Sequence, residues 1–282
     1  MPRPVASLII STYKNVEFLN AVIKSVFRQT DRRVEIIISE DGECEHTKEF
    51  VSELRSPLPL RHLTQPDVGW RKNKALNRAI LASTTDYLIF IDGDCMLHPR
   101  FIEFHLKFAS DKSILAGKRV KLDPHTSALL LNDQLVVSQM NAYLLKNFTS
   151  LKRQKAKFIE EGIFINPRGP FAFIPAIRAM HQLKGCNMSF SKKAIYSING
   201  FDEDYINPAI GEGIDLTWRF KMAGFRIKSL RNLAVQYHLH HKECWTEQVI
   251  NHDLMLRKQK SGSVICSNGL IKTSLGNNCC QE

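Results

Sequence analysis

The sequence has no run of about 18 apolar residues, so no part of it reads as a helix spanning a bilayer. Its start, Met1-Pro2-Arg3-Pro4-Val5, leads straight into a short strand pattern. The long apolar stretch and small-residue cleavage site of a signal peptide are missing. The expected location is therefore cytoplasmic. No Walker loop and no GxGxxG is present, which removes the two commonest glycine-rich phosphate cradles. The seven cysteines (44, 95, 186, 244, 266, 279 and 280) show no zinc-site spacing, and reduced thiols are expected. An RNP-like aromatic motif, a zinc finger and a helix-turn-helix pattern are all absent. Nucleic acid is thus not an expected partner, although the formal net charge is +11. Internal repeats and low-complexity tracts are missing too.

At 282 residues and 44% hydrophobic, the chain can bury a full core. Its basic excess suits an anionic membrane or a phosphorylated substrate. The first 120 residues alternate strand and helix patterns. Val5–Ile10 is apolar and turns at Ser11-Thr12-Tyr13. Val16, Leu19, Val22, Ile23, Val26 and Phe27 then follow at helical spacing. Val34–Ile38 ends in Ser39-Glu40-Asp41-Gly42. A polar helix is expected near 45–55, a strand at Leu60–Leu63, a helix over Lys74–Leu81 and a strand at 86–91. A helix near 99–109 and a strand near 113–117 complete the pattern. Such alternation predicts an α/β chain, Rossmann-like, with a mostly parallel sheet flanked by helices. Residues 120–180 break it with apolar clusters at Leu129–Leu131, Leu135–Val137 and Tyr143–Leu145, a basic run, and an irregular Pro167-Arg168-Gly169-Pro170-Phe171. A helical insertion is expected there. A helix near 246–259 and a loose tail over 261–282 close the chain.

Tyr87-Leu88-Ile89-Phe90-Ile91-Asp92-Gly93-Asp94 carries the most chemistry. An apolar strand ends in two carboxylates one residue apart. That end of a parallel sheet is where ligands bind, and Asp-x-Asp there can hold a divalent cation carrying a diphosphate. Thr12-Tyr13 and Asp41-Gly42 should emerge on the same edge, where Thr12 and Asp41 can bond a base. Gly69-Trp70-Arg71-Lys72-Asn73-Lys74 opens a helix with three cations, a phosphate-favouring start, or else a solvated basic turn. Glu212 and Asp215 share a face if a helix begins there, though acids also simply suit a helix start. Tyr237-His238-Leu239-His240-His241 ends another strand pattern. Read alone it is a surface histidine cluster, but beside carboxylates its imidazoles suit Mn²⁺ or another first-row ion.

Taken together these pieces resemble the family-2 inverting glycosyltransferases of the glycosyltransferase A fold. The resemblance runs over about residues 4–245. Its pieces come in the family's order: the first strand and turn through Ser11-Thr12-Tyr13, Glu40-Asp41-Gly42, Ile91-Asp92-Gly93-Asp94, the segment from Gly185 to Lys193, Asn199–Glu203, Gly211–Arg219 and Tyr237–His241. The later part looks like the subgroup with a galactosyltransferase-like C-terminal segment. The resemblance implies a catalytic domain over 1–245. Within it, 4–120 would be the nucleotide-binding half, 120–180 the insertion and 181–245 the acceptor and catalytic half, followed by a C-terminal helix and tail over 246–282. Thr12, Tyr13 and Asp41 would face the nucleotide, with Asp41 at the imide of a uracil. Arg71, Lys74 and Gly93 would lie near the phosphates. Asp92 would face ribose, diphosphate or metal. Asp94, His238 and His241 would hold Mn²⁺ or Mg²⁺, and Gly185 and Asn187 would lie along the donor sugar.

One departure matters. The family usually shows Glu-Asp where this chain has Glu212-Gly213, and that Asp is commonly the base. Glu212 is the first substitute and Asp215 the second, with impaired catalysis a third outcome. The expected activity is metal-dependent transfer of a sugar from a nucleotide-diphosphate donor, a UDP-sugar first. The acceptor would be a hydroxyl of a glycan or lipid-linked molecule, in bacterial surface polysaccharide synthesis. A nucleotide-sugar or glycan binding protein that has lost its base is the alternative. A nucleic-acid-binding protein is a weaker one. Peripheral contact with the cytoplasmic membrane face would use Leu129–Leu131, Leu144, Leu145, Phe148 and Phe171 with Lys152, Arg153, Lys155 and Lys157. The bland alternative buries those apolar residues under the sheet.

Overall fold

The computed structural model describes residues 3–242 and 247–272. Strand β1 (Ala6–Thr12) is followed by α1 (Val16–Phe27), β2 (Val34–Glu40), α2 (Glu45–Glu53), β3 (Leu60–Leu63), α3 (Lys72–Ala82) and β4 (Tyr87–Asp92). Next come β5 (Cys95–Leu97), α4 (Phe101–Lys107), β6 (Ser113–Ala116) and β7 (Val120–Lys121). The strands β1, β2 and β4 are buried almost throughout because both faces of the sheet are covered. On α1, the Asn15 side chain accepts from the Phe18 N–H, and Leu19, Val22, Ile23 and Val26 pack inward from that capped start.

The main sheet has the order β3-β2-β1-β4-β8-β6-β9, with β8 at Asn187–Ser191 and β9 at Arg226–Ser229. Every pairing is parallel except those of β8, which runs antiparallel to β4 and β6. A three-stranded sheet, β5-β10-β7, sits beside it, with β10 at Gln236–His238.

The 120–180 segment carries four short helices: α5 (Pro124–Leu131), α6 (Met140–Lys146), α7 (Phe148–Arg153) and α8 (Phe173–Ile177). Asp123 caps α5 by accepting from the Thr126 N–H, and Pro124 supplies a first turn that needs no donor. Leu130, Leu144 and Leu151 join the same core as β1 and β2, with Leu129 and Leu131 packed against it. Of the apolar residues proposed for a membrane face, Leu130 and Leu144 are thus buried and Leu129 and Leu131 half-buried. Leu145, Phe148 and Phe171 remain exposed.

Further along lie α9 (Lys192–Tyr196), α10 (Asp215–Met222) and α11 (Val249–Lys260). Residues 261–272 do not form the loose tail that their composition suggested. Cys266 is buried, and Asn199 donates from Nδ2 to the carbonyls of Cys266 and Ile271. This stretch is pinned to the turn at Asn199-Gly200, where Gly200 has φ +82 and a Cβ would stand 2.6 Å from Asn77 Oδ1. The expected boundary at 245/246, the tail beyond 272 and Cys244, Cys279 and Cys280 lie outside the described residues. Among the described residues, no helix is long and apolar enough to cross a membrane.

Candidate functional site

Register brings the strand-end motifs together. In the parallel ladder Ser11 pairs with Asp92 and Thr12 with Glu40. The Gly93 N–H donates to Ser11 O at 2.7 Å and the Asp41 N–H to Thr12 O at 3.0 Å. Thr12, Tyr13, Asp41, Gly93 and Asp94 therefore line one hollow of about 630 Å³, with Trp70 and Lys72 opposite. Asp41 accepts from Gln65 Nε2 (2.7 Å) and from the Arg71 N–H (2.8 Å), which fixes the loop ahead of α3. The Tyr13 hydroxyl donates to Asp67 at 3.2 Å.

Of the Arg71-Lys72-Asn73-Lys74 run, Lys72 is the cation whose side chain enters this hollow, which Lys242 also lines. Lys72 Nζ lies 2.8 Å from Asp92 Oδ1 and 2.5 Å from Glu212 Oε2. Lys74 is exposed and points elsewhere. The helix starts at Lys72, so two residues of about 100° each put the pair on opposite sides. The Arg71 guanidinium turns back onto Trp70 O, leaving only its backbone N–H at the site. Burial pulls the Lys72 ammonium down, yet Asp92 and Glu212 more than offset this and hold it above the ordinary lysine value.

The two carboxylates of the Asp-x-Asp face different partners. Asp92 meets Lys72 through Oδ1 and Arg119 Nη1 through Oδ2 at 2.9 Å. Asp94 Oδ2 sits 3.2 Å from both His238 Nε2 and His241 Nε2. These three residues place ligand atoms within 4.8 Å of one another, whereas Asp92 belongs to a separate group with Cys95 and Cys186. The metal set expected from sequence is thus brought together without Asp92, whose oxygens are taken by two cations. Pairing of His238 with Cys95 and a bond from the Leu239 N–H to Asp94 O hold the imidazoles in place. Burial pushes the Asp94 carboxyl up, and the two imidazoles outweigh that, holding it well below the usual carboxylate range. A carboxylate with two imidazoles fits a divalent first-row ion, Mn²⁺ better than the oxygen-seeking Mg²⁺.

Three further positions separate in the same way. Gly185 lies against Glu212, and a Cβ there would stand 2.9 Å from Glu212 Oε2, so a side chain at this position would push the carboxylate from its present place. Asn187, expected along a sugar, is fully buried. Its Nδ2 donates to Lys118 O and Ala234 O, and its Oδ1 faces His105 Nε2 at 3.1 Å. It holds the turn that carries Arg119, because β8 pairs inside the sheet rather than ending at its edge. Asp215 is buried as well, bound to Arg219 Nε at 2.7 Å and to the Tyr205 hydroxyl at 2.9 Å. Residues Ile210–Ile214 form a π-helical turn, entered through Ala209 at φ 84. The extra residue per turn aims Glu212 at the cleft and Asp215 at the interior. Of the two carboxylates, Glu212 lines the hollow, whereas Asp215 is held inside by Arg219 and Tyr205.

A second hollow of about 480 Å³ lies beyond Glu212, lined by Lys118, Arg119, Lys121, Phe158 and Lys184 with Gly185, Cys186 and Gly213. It shares Asp92 and Glu212 with the first. Arg119 escaped the sequence reading. Its only signal was a Gly117-Lys118-Arg119 turn straight after a strand.

Solved structures with this fold include a mannosyltransferase from Pyrobaculum calidifontis in complex with GDP-Man and Mn²⁺. It is 15% identical, with 93% of this chain and 65% of that chain covered at a TM-score of 0.57. Residues 1–349 of TarS from S. aureus, in complex with UDP-GlcNAc, give 14% identity, coverage of 90% and 66%, and a TM-score of 0.57. The architecture is that of the glycosyltransferase A fold. In sequence, a validoxylamine A glucosyltransferase from Streptomyces hygroscopicus subsp. jinggangensis is 26% identical over 102 residues, 36% of this chain and 24% of that protein. A hyaluronan synthase from Pasteurella multocida is 22% identical over 245 residues, 82% of this chain and 24% of that protein. The chain thus spans about a quarter of the length of these two relatives. The model of glycosyl transferase family 2 matches residues 7–155, more than half of the 282, and this chain belongs to that family.

Proposed function

We propose that the chain is a metal-dependent inverting glycosyltransferase that moves one sugar from a nucleoside-diphosphate donor to an acceptor hydroxyl. One observation carries the reading. Asp94, His238 and His241 converge beside a hollow whose far wall is Glu212, with Lys72 and Arg119 between them on Asp92. Thr12, Tyr13 and Asp41 would receive the base. Asp41 retains lone pairs for an imide N–H beside its two present donors, which favours uracil. Lys72 and Arg119 would exchange Asp92 for the diphosphate oxygens, neutralising charge that grows as the donor bond breaks. The acceptor would enter from the second hollow. Glu212 takes its proton while its oxygen attacks the anomeric carbon on the face opposite the diphosphate, which leaves with the bonding pair. A divalent ion held by Asp94, His238 and His241 would supply Lewis-acid neutralisation of the leaving diphosphate. A panel of nucleotide sugars with Mn²⁺, scored for slow donor hydrolysis, tests this; no hydrolysis of any donor with intact nucleotide binding refutes it.

That negative result would favour the second reading, a binding protein with impaired catalysis. Gly213 in place of the family's acid and the occupation of Glu212 Oε2 by Lys72 support it. Acceptor presentation on a lipid at the membrane face remains part of the proposal. Leu145, Phe148 and Phe171 stay exposed, as do Lys152, Arg153, Lys155 and Lys157. Co-sedimentation with anionic vesicles at low salt is expected, and protein left wholly in the supernatant removes the idea.

A further inference from the structure

We infer that the second hollow takes an acceptor saccharide bearing an acidic group, a carboxylate or a phosphate, and that Lys118 and Lys184 read that charge while Phe158 stacks on a sugar ring. This rests on the glycosyl-transfer reading and adds the chemical class of the acceptor.

The hollow carries surplus positive charge. Lys118, Arg119 and Lys184 line it, against the carboxylates Asp92 and Glu212, beside Lys121, which has a partner of its own. Arg119 is engaged by Asp92. The nearest carboxylate to Lys118 is Glu161, at 3.7 Å, but Glu161 Oε1 already lies 2.9 Å from Arg178 and 2.5 Å from Arg231. Lys118 is therefore the third cation on one buried acid. Lys184 is exposed and has no ion-pair partner among the described residues. A neutral acceptor closing this hollow would strip water from these ammonium groups and return nothing, whereas an acidic one supplies the missing partner.

Phe158 gives the hollow its apolar wall. The residue is 52% exposed and its backbone is left-handed, at φ 57 and ψ 41, a conformation that residues other than glycine rarely adopt. Reciprocal backbone bonds of 2.9 Å between Lys121 and Lys157 hold the residue just before it. The chain keeps an aromatic face at the rim rather than in the core. Such a face suits the C–H side of a pyranose, leaving the sugar's polar edge to the lysines.

The test uses three tetrasaccharides: cellotetraose, its C6-oxidised glucuronic counterpart and its 6-phosphate ester. Each is titrated calorimetrically into the protein with UDP and Mn²⁺ present at low ionic strength. The acidic compounds should bind about tenfold or more tighter than cellotetraose, with the gap narrowing as salt is added. The two acidic arms show whether carboxylate or phosphate is preferred. Lys118→Ser with Lys184→Ser should shrink the preference to about twofold or less. Phe158→Ala should weaken all three alike. Lys152→Ser with Lys155→Ser, on exposed chain nearby, should leave the preference intact. Equal binding of neutral and acidic compounds overturns the inference. So does a preference that survives loss of Lys118 and Lys184, or one lost equally with Lys152 and Lys155, which would be general charge. Weakened UDP–Mn²⁺ binding in the Lys118/Lys184 variant would assign these lysines to the donor and also overturn it. Failure of the transfer reading shows separately, in donor hydrolysis, since these titrations need no turnover.

Discussion

The two hollows that meet at Asp92 and Glu212 are built by different means. The nucleotide-side hollow hangs on backbone register. Three adjacent parallel strands end together, so Thr12, Asp41 and Asp94 arrive at one edge whatever their side chains do. The second hollow is made of turns at 117–121, 158, 182–186 and 209–214. Buried polar side chains hold those turns: Asn187 and His105 beneath Lys118, Glu161 between Arg178 and Arg231, Asp215 against Arg219. A substitution at the first hollow should therefore remove a contact and leave the fold. One in the scaffolding of the second should cost stability or displace the site without touching a ligand.

Asp94→Ala should show the largest effect of the first kind. Metal-dependent UDP binding, followed by calorimetry with and without Mn²⁺, should vanish, and turnover should fall by about 10³ or more. The melting temperature should barely change, because a strand-end carboxylate contributes little packing. Mn²⁺-dependent binding that persists would separate the Asp94, His238 and His241 group from the donor.

Glu212 and Asp215 make the sharpest pair across the divide. Glu212→Gln should lower kcat by about 10²–10⁴ with little change in donor affinity. Asp215→Asn should instead destabilise the fold by about 3–5 kcal/mol, since it leaves the buried Arg219 without its carboxylate. Urea unfolding beside a rate assay separates them. A stable Asp215→Asn protein that has lost only kcat would return Asp215 to the cleft.

The same division explains what the sequence could reveal. The parallel sheet, the Asp-x-Asp strand end and the His238/His241 pair are contiguous patterns whose placement follows from strand order alone. Asn187 and Asp215 belong to equally recognisable patterns, yet their side chains face inward. For Asn187 the reason lies far along the chain, in an antiparallel β8 between β4 and β6; for Asp215 it is the π-turn just ahead of α10, with Tyr205 and Arg219 close by in sequence. Neither leaves a periodic signature. Arg119 was hidden for the opposite reason. It stands outside any pattern and is defined only by its distance to Asp92.

His105 probes the scaffolding without entering either hollow. Burial pushes its imidazole down to about 3. The unfolded chain takes up this proton near pH 6.5, and the folded chain does so only near the lower value. The contribution is therefore complete above pH 6.5 and is lost as the pH falls, by about 1.4 kcal/mol per unit. His98, pushed down to about 4 by burial and by Arg100, adds in the same direction. His105→Gln should flatten the fall in unfolding free energy between pH 6 and pH 4 by the share of one histidine. An unchanged slope would mean that His105 is free to protonate in the folded chain.

The smallest expected effect sharpens the comparison most, because it opposes two lysines two residues apart. Lys72 bridges Asp92 and Glu212, so Lys72→Ala removes a cation from the diphosphate side and frees two buried-edge carboxylates to repel one another. Donor affinity should fall by about tenfold or more, the scale of one charge-assisted contact of about 1.5–3 kcal/mol. Lys74 is exposed on the opposite side of α3, where removing a solvated charge changes local interaction energies by about 0.5 kcal/mol or less. Lys74→Ala should therefore alter the UDP–Mn²⁺ dissociation constant by about twofold at most. Both variants should keep α3 intact, since alanine is the better helix former. Equal losses from the two lysines would make general charge, rather than the start of α3 at residue 72, the source of phosphate affinity. A larger loss from Lys74 would move the helix start, and with it the whole rim of the nucleotide-side hollow.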